Sequence, residues 1–319
     1  MKTIGVLTSG GDAPGMNAAI RAIVRYGTFL DMRVFGIKRG YAGLIDGEME
    51  EMSMRSVSDI IQRGGTILKT ARCPEFASKA GLLKAMAQLT AHGIEGLIVI
   101  GGDGTFMGAK DLSAMGFPAV GIPGTIDNDL AYTDYTLGFD TACNTVLDAI
   151  NKLRDTMTSH ERIVIIQVMG RNCGDIAVHA GIGGGAEVII VPEMPINIHK
   201  VCKQMIDAKA RGKTSGIVVL AEGAGNADEI AEAIRKKSKL SVRSTVLGHI
   251  QRGGSPSMKD RYLGTSMGVH AVKLLEKGIG NRIVGIKNNK IFDIDVVTGC
   301  QMKKKFNKEL YKMAEIISR

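Results

Sequence analysis

Short apolar runs alternate with longer amphipathic stretches along most of the chain. In the first half, runs rich in β-branched residues are followed by stretches with apolar residues at helical spacing. The pattern predicts strands at 4–8, 33–37, 97–100 and 119–122 and helices at 15–26, 80–92 and 107–115. Such alternation predicts right-handed βαβ crossovers and therefore a parallel sheet.

The pattern restarts after a long amphipathic helix, which we predict at 141–157. The second series comprises predicted strands 163–169, 188–191 and 217–221 and a predicted helix at 198–211. No low-complexity linker separates the two series. We therefore expect two α/β domains that pack closely and leave a cleft between them.

Two of the apolar strands end abruptly in turns of glycines and carboxylates, G-G-D-G-T at 101–105 and P-G-T-I-D-N-D at 123–129. In an open α/β sheet such turns lie where ligands bind, and glycines let a phosphate approach the backbone. Asp103 would repel a phosphate unless a cation lay between them, which suggests Mg²⁺. The alternative for Asp103 is a buried Asp that only forms the turn. Asp127 could accept a proton from a hydroxyl that Thr125 orients, unless the segment is a plain Asx-turn. Together these parts predict phosphoryl transfer from a nucleotide to an alcohol.

The first predicted strand ends in T-S-G-G-D-A-P-G-M-N at 8–17, which has neither Rossmann nor P-loop spacing. A P-loop kinase is therefore disfavoured, and several turns must hold the phosphates. We expect Gly11 to lie against them, unless this is only a tight turn, with Asp12 or Asn17 in the cap region of the next helix. Arg72 could bridge two phosphoryl groups or form a structural ion pair.

Charged side chains also stand near the predicted strands of the second half. They are Arg162, Arg171, Glu222, Arg243, His249 and Arg252. Two or three arginines with a histidine suit a phosphomonoester, and a glutamate could accept hydrogen bonds from sugar hydroxyls. Each arginine taken alone could equally be a surface or ion-pair residue.

Composition narrows the class of protein. The 319 residues are 45% hydrophobic but only 4% aromatic, so stacking platforms for single-stranded nucleic acid are scarce. The net charge of +9 is dispersed, which suits small anionic ligands better than a duplex. Five cysteines without a C-x-x-C pair fit a reduced chain without structural zinc. With neither a signal-peptide layout nor a long apolar run, we expect a cytoplasmic protein with no membrane or nucleic-acid partner.

Five motifs in order make the chain resemble the bacterial ATP-dependent 6-phosphofructokinase family along essentially its whole length. They are G-G-D-A-P-G-M-N at 10–17, G-G-D-G at 101–104, P-G-T-I-D-N-D at 123–129, M-G-R at 169–171 and G-H-I-Q-R-G-G at 248–254. The resemblance implies two similar three-layer α/β domains with mainly parallel sheets and the active site in the cleft between them. It implies a large ATP-binding domain at 1–138 plus 251–305 and a small fructose 6-phosphate-binding domain at 139–250 plus 306–319.

The resemblance also implies the activity, which is ATP-dependent phosphorylation of D-fructose 6-phosphate at the 1-hydroxyl, the committed step of glycolysis. The implied ATP contacts are Gly11, Arg72, Cys73, Gly102, Asp103, Gly104 and Thr105, with Mg²⁺ on Asp103. The implied sugar-phosphate contacts are Thr125, Asp127, Arg162, Met169, Gly170, Arg171, Glu222, Arg243, His249 and Arg252. The implied catalytic residues are Asp127, Thr125, Arg171 and Arg72, with Asp127 as proton acceptor.

The family resemblance further implies a homotetramer with shared active and effector sites and with allosteric regulation. Arg162 and Arg243 are implied to reach the active site of a neighbouring subunit. The implied effector contacts are Arg21, Arg25, Arg154, Gly185, Glu187, Arg211, Lys213 and Ser215. Met54 stands where close relatives carry an effector-site arginine, so we expect an effector nucleotide such as ADP to bind weakly.

Two positions favour ATP over pyrophosphate as the phosphoryl donor. Pyrophosphate-dependent relatives carry Asp after G-G-D and Lys at the first glycine of P-G-T-I-D-N-D, whereas this chain has Gly104 and Gly124. Glycine leaves room for the α-phosphate of a nucleotide, which an Asp side chain would fill and repel. A non-catalytic regulator would be expected to lose Asp103, Asp127 or Arg171, and all three are present. A diacylglycerol- or NAD-kinase-like enzyme would lack the later arginines.

Overall fold

Two β-sheets organise the computed structural model, which describes residues 1–318. The chain divides into two units, each built around one sheet. The first unit comprises Met1–Ile126, Leu130–Thr141 and Arg252–Lys304, and the second comprises Asp127–Asp129, Ala142–Gln251 and the segment that begins at Lys305. Arg319, which ends the range expected for the small domain, lies outside the described residues. Which substrate each domain binds stays a prediction.

The strands are β1 Thr3–Thr8, β2 Arg33–Ile37, β3 Met49–Met52, β4 Gly96–Gly101, β5 Ala119–Pro123, β6 Ile163–Val168, β7 Val188–Ile190, β8 Gly216–Ala221, β9 Val242–Val246, β10 Arg282–Lys287 and β11 Lys290–Asp295. The helices are α1 Met16–Phe29, α2 Gly40–Asp46, α3 Lys79–Ala91, α4 Asp103–Ala114, α5 Phe139–Ser159, α6 Asp175–Gly183, α7 Ile198–Ala210, α8 Ala227–Ser238, α9 Met258–Glu276, α10 Val296–Gln301 and α11 Lys308–Ile317. Short 3₁₀ turns lie at Pro74–Ala77, Glu222–Ala224 and Gly248–Arg252. No helix in residues 1–318 is long and apolar enough to cross a membrane.

The sheet of the first unit has the strand order β11-β10-β5-β4-β1-β2-β3. Its central strands are parallel, as predicted, whereas β3 and β11 close the two edges antiparallel. Side chains alternate between its two faces. Leu97 and Val99 of β4 pack into a core with α2, α3 and α4. On the opposite face, α1 and α9 pack together, and a Cβ on Gly96 of β4 would lie 3.1 Å from Leu275 of α9. The first unit therefore has three layers.

The sheet of the second unit is wholly parallel, in the order β7-β8-β6-β9. One face packs on α7 and α8 through residues such as Ile190, Val201 and Ile234. On β7 the neighbouring Ile189 instead lies near Gly181 of α6, because successive side chains of a strand point to opposite faces. The expected α/β architecture with mainly parallel sheets is confirmed. The apolar pattern missed the helices α2, α6 and α8 to α11 and the strands β3 and β9 to β11.

The predicted helix at 107–115 begins earlier, at Asp103. The first helix also differs from expectation, because neither Asp12 nor Asn17 caps it. It begins after Gly15, and no side chain of the described residues makes a cap hydrogen bond there. Asn17 instead holds a distant loop, since its Nδ2 donates to the carbonyls of Arg63 at 2.9 Å and Gly65 at 2.8 Å.

A buried carboxylate in α9 anchors the start of α5. Asp260 is 0% exposed and accepts hydrogen bonds from the amides of Gly138 and Thr141, both at 2.9 Å, and from the Thr141 hydroxyl at 2.5 Å. Burial raises the pKa of Asp260, although these three donors act in the opposite direction. The carboxylate is thus the partner of amides that a helix start leaves without intrahelical acceptors.

We expect Asp260→Ala to lower the free energy of unfolding by about 2–4 kcal/mol, because it leaves the amides of Gly138 and Thr141 buried without an acceptor. Urea unfolding of the native and variant chains measures the difference. Asp155→Ala is the matched control, since Asp155 is an exposed aspartate of the same helix α5. Equal losses in the two variants would contradict the anchoring role of Asp260.

Candidate active site

The two glycine and carboxylate turns leave the first sheet side by side. In the parallel pair of β4 and β5, Gly101 lies opposite Pro123, and the Gly124 amide donates to the Gly101 carbonyl at 2.9 Å. Thr125 follows against the first turn, because a Cβ on Gly102 would lie 3.6 Å from Thr125 Cβ. Thr125 and the Asp103 turn are therefore neighbours.

Asp103 opens helix α4 directly after Gly102, which is in an extended conformation. The free amides in the first turn of α4 favour the binding of an anion beside Asp103. A Cβ on Gly104 would meet nothing within 4 Å, so space is open above the turn. Asp103 is exposed, and no group of three or more His, Cys, Asp or Glu in residues 1–318 forms a protein metal cage. One exposed carboxylate fits Mg²⁺, which takes few protein ligands and completes its shell with phosphate oxygens and water.

Thr105 links the turn at 101–105 to neighbouring segments through its hydroxyl and its carbonyl. Its buried hydroxyl donates to the Ser9 carbonyl at 3.2 Å, and Tyr41 Oη donates to the Thr105 carbonyl at 2.6 Å. Burial raises the pKa of Tyr41 well above its usual range, which keeps the hydroxyl protonated as a donor. The side chain of Thr105 thus connects α4 to the turn after β1.

The expectation that both diagnostic glycines leave room for a nucleotide holds only at Gly104. A Cβ on Gly124 would lie 2.8 Å from Met16 Cε and 3.0 Å from Ile100 Cγ2. The space beside Gly124 is filled by the chain's own apolar side chains. Glycine is needed there for packing, so only Gly104 offers open space to a ligand.

The turn after β1 is joined to two other predicted site segments of the first unit. Thr70 Oγ1 donates to the Gly10 carbonyl at 2.6 Å, which holds the segment that carries Arg72. Arg72 is exposed and makes no ion pair with any residue that the structure describes, so the ion-pair alternative finds no support. Cys73 precedes a 3₁₀ turn as its N-cap. Arg252 Nη1 donates to the Asp12 carbonyl at 3.2 Å.

In the second unit, the segment Asp127–Asp129 is held against the turn after β6. Asn128 Nδ2 donates to Asp175 Oδ2 at 2.9 Å, and Arg171 Nη1 pairs with Asp129 Oδ2 at 3.6 Å. Asp127 is only 2% exposed. These contacts place the predicted base and the predicted arginine on neighbouring segments.

Arg171 has a left-handed backbone with φ of 53°, which is uncommon for a residue with a Cβ. Its amide donates to Glu222 Oε1 at 2.8 Å, so two predicted sugar-phosphate residues from the ends of β6 and β8 are in contact. Gly170 before it has φ of 132°. Strain of this kind persists where surrounding bonds hold it, and here the Glu222 carboxylate does so.

The arginines of the second half do not gather in one pocket of this chain. Arg162 precedes the first residue of β6, and Arg243 pairs beside Val164 near the start of β9. Arg171 and His249 instead follow the carboxyl ends of the same two strands. Six residues of β6 span roughly 20 Å, so the two pairs stand at opposite ends of the sheet.

Most predicted effector residues meet in the second unit. Glu187 is buried and pairs with Arg154 at 3.7 Å and with Lys213, while Arg154 Nη2 donates to the carbonyl of Gly185 at 2.9 Å. Ser215 Oγ lies 3.3 Å from Thr158 Oγ1. A cavity of about 730 Å³ is lined in part by Gly185, Glu187, Arg211 and Lys213. Arg21 and Arg25 lie on α1 of the first unit.

Comparison with known proteins identifies the family. The profile described as phosphofructokinase matches residues 3–275. The chain belongs to the phosphofructokinase family. It is 60% identical to an ATP-dependent 6-phosphofructokinase of Clostridium botulinum over 319 residues, the whole of both chains. It is 58% identical to that of Clostridium novyi over 318 residues, covering 100% of each.

The solved phosphofructokinase from Saccharomyces cerevisiae matches with a TM-score of 0.90 and 32% identity over 100% of this chain. This phosphofructokinase spans 48% of the yeast chain's length. The family membership that the five motifs predicted is therefore confirmed. The role of each site residue stays a prediction.

Sequence reasoning missed one organising residue of this phosphofructokinase, Gln251. It is 0% exposed, its Oε1 accepts from the Met169 amide at 3.1 Å, and its Nε2 donates to the Gly248 carbonyl at 3.0 Å. It therefore joins the M-G-R turn to the 3₁₀ turn that carries His249. The signal in the sequence is its place inside the G-H-I-Q-R-G-G motif, between His249 and Arg252.

We expect Gln251→Leu to lower the free energy of unfolding by about 1–3 kcal/mol, because the partly buried Met169 amide and Gly248 carbonyl lose their partner. Gln251→Glu keeps an acceptor for the Met169 amide but places a buried carboxylate against the Gly248 carbonyl, so its loss should be at least as large at neutral pH. Chemical unfolding of the three chains gives the order. A leucine variant as stable as the native chain would remove the joining role.

Proposed function

We propose that this enzyme phosphorylates D-fructose 6-phosphate at its 1-hydroxyl with ATP, giving fructose 1,6-bisphosphate and ADP. The proposal rests on 60% and 58% identity to two ATP-dependent 6-phosphofructokinases over their full length. The open space at Gly104 supports a nucleotide as donor. Asp103, Asp127 and Arg171, which the reaction needs, are all present. A cytoplasmic location remains a prediction from the cysteine composition.

In the proposed reaction, the first unit holds ATP. The amides of the turns at Gly11 and 102–105 would bind the phosphates, with open space at Gly104, and the exposed guanidinium of Arg72 would balance charge on the transferring group. Asp103 would hold Mg²⁺, which neutralises phosphate charge when it is bound. Cys73, next to Arg72, would contact ATP through its backbone.

The second unit and Thr125 serve the sugar phosphate in this proposal. Asp127 takes the proton of the 1-hydroxyl while the hydroxyl oxygen bonds to the γ-phosphorus of ATP and ADP leaves. Thr125 orients that hydroxyl. Arg171 lies near the base through its pair with Asp129. The remaining proposed contacts are Met169, Gly170, Glu222, His249 and Arg252, with Arg162 and Arg243 from a neighbouring copy.

A coupled assay with ATP, pyrophosphate and several sugar phosphates tests the proposal, and we expect turnover with ATP and fructose 6-phosphate. Asp127→Asn keeps the shape of the side chain but cannot take the proton. It should lower kcat by roughly 10²–10⁴-fold and leave sugar-phosphate binding nearly unchanged.

Asp155→Asn, an exposed substitution of the same type on α5, controls for the loss of one negative charge. A near-normal kcat in Asp127→Asn would remove Asp127 as the base. Turnover with pyrophosphate instead of ATP would contradict the proposed donor, whatever the variant does.

We propose further that the enzyme is a homotetramer whose subunits share active sites. The support is the position of Arg162 and Arg243 at the opposite end of the second sheet from Arg171 and His249, roughly 20 Å away. One copy of the sheet cannot turn both ends toward one phosphate. A second copy could supply the amino-end arginines, as a symmetric oligomer allows.

Mixing Arg243→Ser with Asp127→Asn subunits should restore activity that neither variant has alone at low sugar phosphate. Random exchange would leave about a quarter of the shared sites with both parts intact. Kinetics after verified subunit exchange measure the recovery, and two separately folded pools of the same variants are the control. No recovery in exchanged hybrids would contradict shared sites.

We propose a nucleotide effector site around the ion-paired cluster of Glu187, Arg154 and Lys213. Gly185, Arg211 and Ser215 lie on the neighbouring loops, and Arg21 and Arg25 would join them. The cavity of about 730 Å³ beside the cluster is large enough for a nucleoside diphosphate. Its cations would pair with the phosphates.

A further inference from the structure

Gly11 lies in the turn proposed for ATP, yet its nearest neighbour is a residue proposed for the sugar phosphate. A Cβ on Gly11 would lie 2.3 Å from Arg252 Nη1 and 2.8 Å from Arg252 Cζ. The guanidinium thus rests where a side chain of residue 11 would begin. The same Nη1 donates to the carbonyl of Asp12 at 3.2 Å.

We infer that Gly11 is a positioning residue for Arg252, so that binding of the sugar phosphate depends on the glycine of the ATP turn. The inference rests on the proposed function. The contact joins Gly11, which is proposed for ATP, to Arg252, which is proposed for the sugar phosphate. A ligand that moves one of these two residues therefore changes the surroundings of the other. Such coupling is reciprocal in free energy.

The backbone around Arg252 is held by neighbouring loops, so a change at Gly11 should move the Arg252 side chain and not its loop. A Cβ on Gly64 would lie 2.3 Å from the Gly254 carbonyl oxygen, and Ser255 Oγ donates to the Gln62 carbonyl at 2.7 Å. Loop 62–65 is itself held by Asn17, two residues beyond Gly15. The first turn and the 252–255 segment therefore form one connected assembly within the first unit.

Gly11→Ala is a sharp probe of this contact. Gly11 is not among the residues with positive φ, so alanine can adopt its backbone without strain. The methyl group would overlap the flexible tip of Arg252 rather than backbone, so the guanidinium should move and the loop should stay. The substitution changes Arg252 without removing its charge.

The decisive measurement is calorimetric binding of fructose 6-phosphate in the absence of ATP, where a glycine that served only ATP would have no effect. We expect Gly11→Ala to weaken this binding about ten-fold or more, as loss of a charged hydrogen bond does. In an Arg252→Ala background the same change should add less than about two-fold, because the two residues act together. Gly183→Ala is the control, since a Cβ there meets nothing within 4 Å.

Unchanged fructose 6-phosphate binding in Gly11→Ala, with a raised half-saturating ATP concentration, would overturn the inference. Failure of the proposed function looks different, because the native chain would then neither bind nor phosphorylate fructose 6-phosphate. If Gly11→Ala does not fold, Arg252→Ala decides through the reciprocal effect. It should shift the dissociation constant of ATP, measured by calorimetry without sugar phosphate, several-fold, and an unchanged constant would contradict the coupling.

Discussion

The register between β4 and β5 is the constraint on which the proposed chemistry depends. Gly101 pairs with Pro123, and β1 continues the alignment with Thr8 opposite Ile100. Three turns therefore leave the sheet at one level. A slip of one residue would turn every side chain of a strand to the other face, so the apolar core that holds the register also holds the turns in place. The same strand register therefore determines both the packing of the sheet and the placement of the reacting groups.

The sequence predicted the central strands well because a parallel strand buried on both faces is a nearly continuous apolar run. The edge strands β3 and β11 lack that signature. β3 reads M-E-E-M, with neither an apolar run nor a strict alternation of apolar and polar residues, so it resembles a loop until its partner is known. Helix α4 was expected too late because glycine and aspartate are weak helix formers, and the start at Asp103 is set by the strand before it.

The candidate residues themselves were found from motifs, but their surroundings needed the structure. Gly104 and Gly124 look alike in the sequence, and only packing distinguishes the open position from the filled one. The sequence predicts that the arginines of the second half lie near strand ends. It does not tell which of them share an end of the sheet, because that depends on the pairing of β6 with β9. Gln251 carries no charge, so its role is visible only through the two hydrogen bonds that its buried side chain makes.

The separation of Arg162 and Arg243 from Arg171 along β6 has a consequence for how the enzyme behaves on dilution. If each active site takes groups from two copies, a folded monomer carries only incomplete sites. Specific activity then follows mass action and falls below the concentration at which subunits dissociate, even though no chain unfolds. In that case the concentration of the enzyme, and not only that of its substrates, sets the rate per subunit.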